Sequence, residues 1–169
     1  MIRPVAAGAA AVAVVAAVGR ARRHAAAGLQ GPVGARLQAW IPPAPLTSAG
    51  RVAAVVWAAP ITLTGLLAGL ASATPPRLVE GVVLFAPAGG ITGWLVRRRG
   101  FAAAGLGHVV IAVTEPSPAL LAHELTHVRQ AEYLGPLMAP VYLVLLAVHG
   151  YRRHPMEVAA RHAAERTLA

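Results

Sequence analysis

"LLAHELTHVRQAEYLG", residues 120–135, sets two histidines four positions apart, with a glutamate directly after the first. The flanking residues give the stretch a helical frame. Upstream, "TEPSP" (114–118) makes a sharp stop, in which Ser117 suits a helix cap and Pro118 its first position. Downstream, "LGP" (134–136) breaks the helix again. A helix over 118–133 brings His123 and His127 onto one face, one turn apart, so both imidazoles can reach one cation. Glu124 sits beside His123, within reach of a water on that cation.

H-E-x-x-H is the pattern of a zinc site in which the histidines bind the metal and the glutamate is the general base. Zinc takes imidazole and carboxylate ligands and, in catalytic sites, keeps one position for water. The carboxylate accepts the water's proton as it attacks a carbonyl. The chain has no cysteine, so thiolate sites and disulfides are excluded and any metal must use His and Glu.

A third ligand has to come from downstream, where Glu132, His149, His154, Glu157, His162 and Glu165 are available. Glu132 is on the same helix but points about 140° away from His127. The apolar stretch 137–149 predicts a second helix, "GYRRHP" (150–155) a turn, and 155–167 a third helix with Pro155 at its start. Glu157 and Glu165 share a face of that last helix. Glu157 is the preferred ligand, with Glu165 and His154 as alternatives. That choice constrains 137–149: a bilayer-spanning helix there would put Glu157 about 30 Å from the histidines, so the segment must be buried or dip shallowly.

The remainder of the chain is unusually apolar. Of its 169 residues 57% are hydrophobic and only 12% charged, about half the charge of an ordinary soluble domain, and mean hydropathy is +0.61. All 15 basic residues are Arg, all six acids are Glu, and Lys, Asp and Asn are absent. That bias with abundant Ala, Gly and Pro reads as GC-rich bacterial coding, so alanine richness carries no functional weight. Net charge is +9. The arginines cluster beside apolar segments at 20–23, 97–99 and 152–153 without interleaved aromatics to stack on bases. They read as anchors to anionic head groups, and no nucleic acid is expected.

Residues 4–19 form a 16-residue apolar run read as a marginal membrane anchor. Residues 52–73 carry 22 residues without a charge, between Arg51 and Arg77, and are the best transmembrane candidate; Pro60 is tolerable there. "WIPPAPLTSAG" (40–50) is a linker or interfacial segment. Residues 78–113 predict two or three short strands, the last over 107–113, "GHVVIAV". The fold class is therefore α+β and mostly helical. Residues 1–77 form a membrane-anchoring region with N-terminal apolar helices. Residues 78–169 form a metal-binding domain with a small β-sheet, the H-E-x-x-H helix and a C-terminal helix.

"HELTHVRQ", followed by "YLGPLMAPVYL" and "RRHPMEVAA", resembles small bacterial metallopeptidase domains of the zincin type over roughly residues 79–165. In those domains a "GHVV"-like strand precedes the motif helix, and an "NPxE"-like element opens the helix that offers the third ligand. The resemblance implies one Zn²⁺ on His123, His127 and Glu157, with Glu124 as catalytic base. It also implies that 107–113 is an edge strand pairing with a peptide substrate. Two departures stand out: His154 occupies the place of the Asn, and Arg129 the place of an apolar residue. His108 is read as orienting substrate or as a structural strand residue, and Arg129 and Gln130 as groups behind the ligands or on a solvated face.

Three functions follow as expectations. The first is a membrane-associated zinc metallopeptidase acting on a peptide or protein substrate at a bacterial inner membrane. The second is a non-catalytic membrane protein with a structural or vestigial zinc site. The third is a basic membrane-surface or nucleic-acid-binding module without metal. Oligomeric state is not legible.

Overall fold

In the computed structural model, residues 31–169 are described, together with the isolated Gly19. The candidate helix 4–19 therefore lies, but for its last residue, outside the described residues. The order of elements is α1 (Pro32–Gln38), α2 (Ser48–Trp57), α3 (Ala59–Leu70), β1 (Arg77–Val79), β2 (Val82–Phe85), α4 (Gly90–Arg98), β3 (Ala103–Leu106), β4 (Val109–Ala112), α5 (Pro118–Leu134), α6 (Met138–His149) and α7 (Pro155–Arg166). Short 3₁₀ turns at Gly135–Leu137 and Tyr151–Arg153 precede α6 and α7. The result is a mostly helical α+β fold around one small mixed sheet.

The sheet runs β1-β2-β4-β3. β2 and β4 are parallel, with Leu84 opposite Val110, and the two outer pairs are antiparallel. Alternation along the central strands splits the core in two. Val82, Leu84, Val110 and Ala112 pack against Leu125 and Val128 of α5. Phe85, Val109 and Ile111 pack on the other face against Leu66 and Ala68 of α3. α4 is tied beside α3 by Thr92 Oγ1 donating to the Ala68 carbonyl (2.6 Å) and by the Ile91 amide donating to that of Ala71 (3.1 Å).

Several expectations change here. The charge-free stretch 52–73 is not one straight span. It divides at Ala58 into α2 and α3, bent by 64°. Pro60 explains the break: lacking an N–H, it fits the first turn of a new helix and cannot continue an old one. Helices α2 and α3 also pack against α5 and the sheet. Besides the packing of α3 on the sheet, the Trp57 indole N–H donates to the Tyr133 carbonyl at the end of α5 (3.2 Å). Gly135, with φ +54°, turns the chain immediately afterwards, and a Cβ there would fall 2.4 Å from the Trp57 ring.

The region 78–113 holds four strands and, between them, the unexpected helix α4. The strand in 107–113 is β4, which is paired on both sides and buried throughout, so it is not the edge strand. Its backbone groups are already spent on β2 and β3. The edge is β3. Among the described residues, one helical stretch, Pro118–His149, is long and apolar enough to cross a membrane, and α2 with α3 would count as a second if taken as one bent span. Gly135 interrupts the first of these.

Candidate metal site

Each residue of the site is placed by a local signal. Ser117 Oγ accepts from the Leu120 amide and caps α5 (3.2 Å), which carries His123, Glu124 and His127. His154 caps α7, its Nδ1 accepting from the Met156 amide (3.2 Å). This is the work the expected Asn would do, and the second ring nitrogen adds a bond, Nε2 donating to the Tyr142 carbonyl (3.0 Å). Glu157 thereby falls in the first turn of α7, which lies along α5.

His123, His127 and Glu157 converge, with one ligand atom from each lying within 4.8 Å of the others. His123 Nε2 and His127 Nε2 are 3.3 Å apart. Glu157 brings Oε2 to 3.5 Å from the first and Oε1 to 3.3 Å from the second. The group could hold a metal ion. Two buried atoms leave room for a positive charge there: among the described residues, Glu157 Oε2 and Glu124 Oε2 have no hydrogen-bond partner, which is costly for carboxylates inside a protein.

The supporting contacts point the donor atoms inward. Gln130 is wholly buried. Its amide nitrogen reaches the carbonyls of Trp40 (3.3 Å) and Met156 (3.5 Å), so its oxygen faces His127 Nδ1 at 2.8 Å. Nδ1 must then carry the hydrogen, leaving Nε2 of the neutral ring with its lone pair toward the cluster. Tyr142 donates its hydroxyl to Glu157 Oε1 (2.7 Å) and stacks on His154 at 4.2 Å between ring centres. Since Tyr142 is in α6, that helix runs past the site and does not carry the chain away from it.

The electrostatics express one demand, for positive charge. Burial alone would raise the Glu157 carboxyl, but its contacts with His123, His127 and Tyr142 hold it well below the usual carboxylate range. Burial would lower His127, and the adjacent Glu157 and Glu124 carboxylates raise it instead. Burial pushes the Glu124 carboxyl up, against the pull of the two histidines.

A cleft of about 320 Å³ opens over the cluster. Ile61, Leu106, Met138 and Leu143 make its walls apolar, and His123, Glu124, His127 and Glu157 make its floor. All four residues of β3 line it, and among the described residues β3 pairs only with β4. A second hollow of about 210 Å³ continues past His123 and Glu124, where Phe101 and Tyr151 border both spaces with their rings 5.4 Å apart. Gly105 of β3 has a particular place. A Cβ on it would lie 2.7 Å from Glu124 Oε2, so the missing side chain makes the space that carboxylate occupies.

The other candidate residues lie elsewhere. His108 Nε2 meets Glu132 Oε1 at 3.1 Å, and Arg129 donates to Glu132 Oε2 at 2.7 Å; His108 and Arg129 form this separate cluster and neither lines the cleft. His154 has both ring nitrogens engaged, and Glu165 is exposed near the end of α7. Sequence reasoning passed over Tyr142 and Gly105. Tyr142 had a signal, as the one hydroxyl in the otherwise aliphatic "MAPVYLVLLAVH". Gly105 had none.

Compared with protein-family models, with curated proteins and with solved structures, the chain matches none.

Proposed function

We propose that this chain is a membrane-associated zinc metallopeptidase of the zincin type. The observation that carries the reading is the meeting of two imidazole Nε2 atoms and a carboxylate from separate helices, 3.3–3.5 Å apart, beside a buried glutamate in an open cleft. Tetrahedral zinc with bonds of about 2.0–2.1 Å has ligand atoms about 3.3–3.4 Å apart, so the donor set fits that ion. Zinc held there would supply Lewis acidity to a water and to the substrate carbonyl.

The chain's own residues supply the rest. Gln130 fixes His127 in the binding tautomer, and Tyr142 orients Glu157. Glu124 takes the water's proton at a carboxylate oxygen and returns it to the departing amine nitrogen. Its burial, which makes the carboxyl more basic than usual, suits it to that exchange. The free edge of β3 would pair with the substrate backbone and lay the scissile bond across the cleft.

The test is metal content and peptide hydrolysis on detergent-purified full-length protein. Wild type and Glu124→Gln should each hold about one zinc per chain, and His123→Ala and Glu157→Ala should hold almost none. Hydrolysis should occur in wild type alone. Zinc retained with no hydrolysis of any peptide would favour the structural-site reading, to which the near-complete burial of His127 and Glu157 also lends support. Absence of zinc from wild type would end both.

A further inference from the structure

The side of the molecule away from α5 is apolar where it meets solvent. Leu63, Leu67 and Leu70 of α3, spaced four and three apart, are 59%, 70% and 68% exposed. Ile91 of α4, and Trp94 and Leu95 three and four positions after it, are 70%, 54% and 43% exposed. Each set is one stripe of its helix. The bonds from Thr92 to Ala68 and from Ile91 to Ala71 hold the two helices side by side. Soluble monomers rarely expose so many large apolar side chains on neighbouring elements.

The rim of this face is basic. Arg97, Arg98 and Arg99 are exposed where α4 ends, and neither helix contains an acidic residue. The Arg98 guanidinium lies 5.5 Å from the centre of the Trp94 ring, which groups cation and indole at one level. Tryptophan with arginine at the border of an apolar surface is the composition of a membrane interface. The arginines match anionic phosphates and the leucines match acyl chains. An acidic protein partner would meet the arginines but leave the leucine stripe unexplained.

We infer that the joined outer faces of α3 and α4 form a docking surface for an anionic lipid bilayer, with Trp94 at the head-group boundary and Arg98 and Arg99 on the phosphates. The inference deepens the membrane-association part of the proposed function and is independent of the hydrolase part.

The experiment uses full-length protein with vesicles of phosphatidylglycerol and phosphatidylcholine, part of the latter brominated on its acyl chains. Tryptophan emission is followed in wild type and Trp94→Phe, and binding in Arg98→Gln/Arg99→Gln. Wild-type emission should be quenched, with a clearly smaller fractional loss in Trp94→Phe. The double arginine variant, with unchanged circular dichroism, should bind several-fold more weakly and lose its preference for phosphatidylglycerol. Equal fractional quenching in wild type and Trp94→Phe on vesicle-bound protein would overturn the docking face while leaving membrane association intact. In that case another occupant covers it, such as the apolar run 4–19 or a second copy of the chain. No vesicle binding by wild type would overturn the membrane reading itself.

Discussion

The two faces of the sheet invert the ordinary distribution of residues in opposite senses. On the α5 side, polar groups are buried: Glu124, His127, Gln130, His154 and Glu157 are all shielded from solvent. On the α3 and α4 side, large apolar groups are exposed. Exposed leucines scattered singly say little, and buried acids or broad apolar patches say much. Both inversions occur here, back to back across a sheet of four short strands. The buried side has a reason inside the molecule, a set of donor atoms that could hold one cation. The exposed side has its reason outside, in whatever surface covers it.

The comparison can be broken most sharply at Gly105. Gly105→Val pushes a side chain into the space of Glu124 Oε2 and should lower hydrolysis about a hundredfold with zinc still bound. Equal activity would show that Glu124 is not held there. Next comes Gln130→Leu, which removes the acceptor from His127 Nδ1 and should weaken zinc affinity about 10–100-fold, read by competition with a chelator. An unchanged affinity would mean that the ring needs no such partner.

The pH dependence tests the same side more gently. His127 is raised above its ordinary value, so a proton competes with a cation for Nε2 from a higher pH than at a free imidazole. Zinc affinity should fall as pH drops from about 8 to about 5.5, by about tenfold per unit for each proton displaced. A flat titration would detach the histidines from the metal. The smallest effect belongs to the other face. Leu67→Gln with Ile91→Gln should alter unfolding free energy by no more than about 0.5 kcal/mol per site. A large loss of stability in denaturant titration would show that these side chains pack inside the protein after all.

How much of this was legible depended on whether the signal was local. Ser117, Pro118 and Gly135 frame α5, and the i, i+4 histidines declare its working face. Pro155 starts α7, and that alone puts Glu157 in the first turn. The helix α4 was hidden because "GITGWLVRR" mixes glycine with β-branched residues. Its only periodic mark is the buried pair Gly93 and Val96, which becomes visible once tertiary packing chooses the inward side. The bend between α2 and α3 was lost in a count of uncharged residues. Pro60 stood in plain view, but length and hydropathy do not register direction. The mistaken edge strand had a readable correction. "VVIA" is apolar at every position, the mark of a strand covered on both faces, whereas the weak "AAGL" of β3 can sit at a border.

One feature of the cluster reaches beyond chemistry. His127 and Glu157 are 30 positions apart (157 − 127) in a chain with no cysteine. A cation gripped by both ties the chain into a closed ring that contains the whole of α6. In the chain-entropy treatment of cross-links, a ring of that size is worth about 3–4 kcal/mol against the unfolded state. The ion then acts as a removable staple. Chelation would open that ring and leave α6, the most aliphatic helix of the fold, held by its packing and by the Tyr142 bonds to Glu157 and His154, so limited proteolysis should cut there sooner than in the metal-loaded protein.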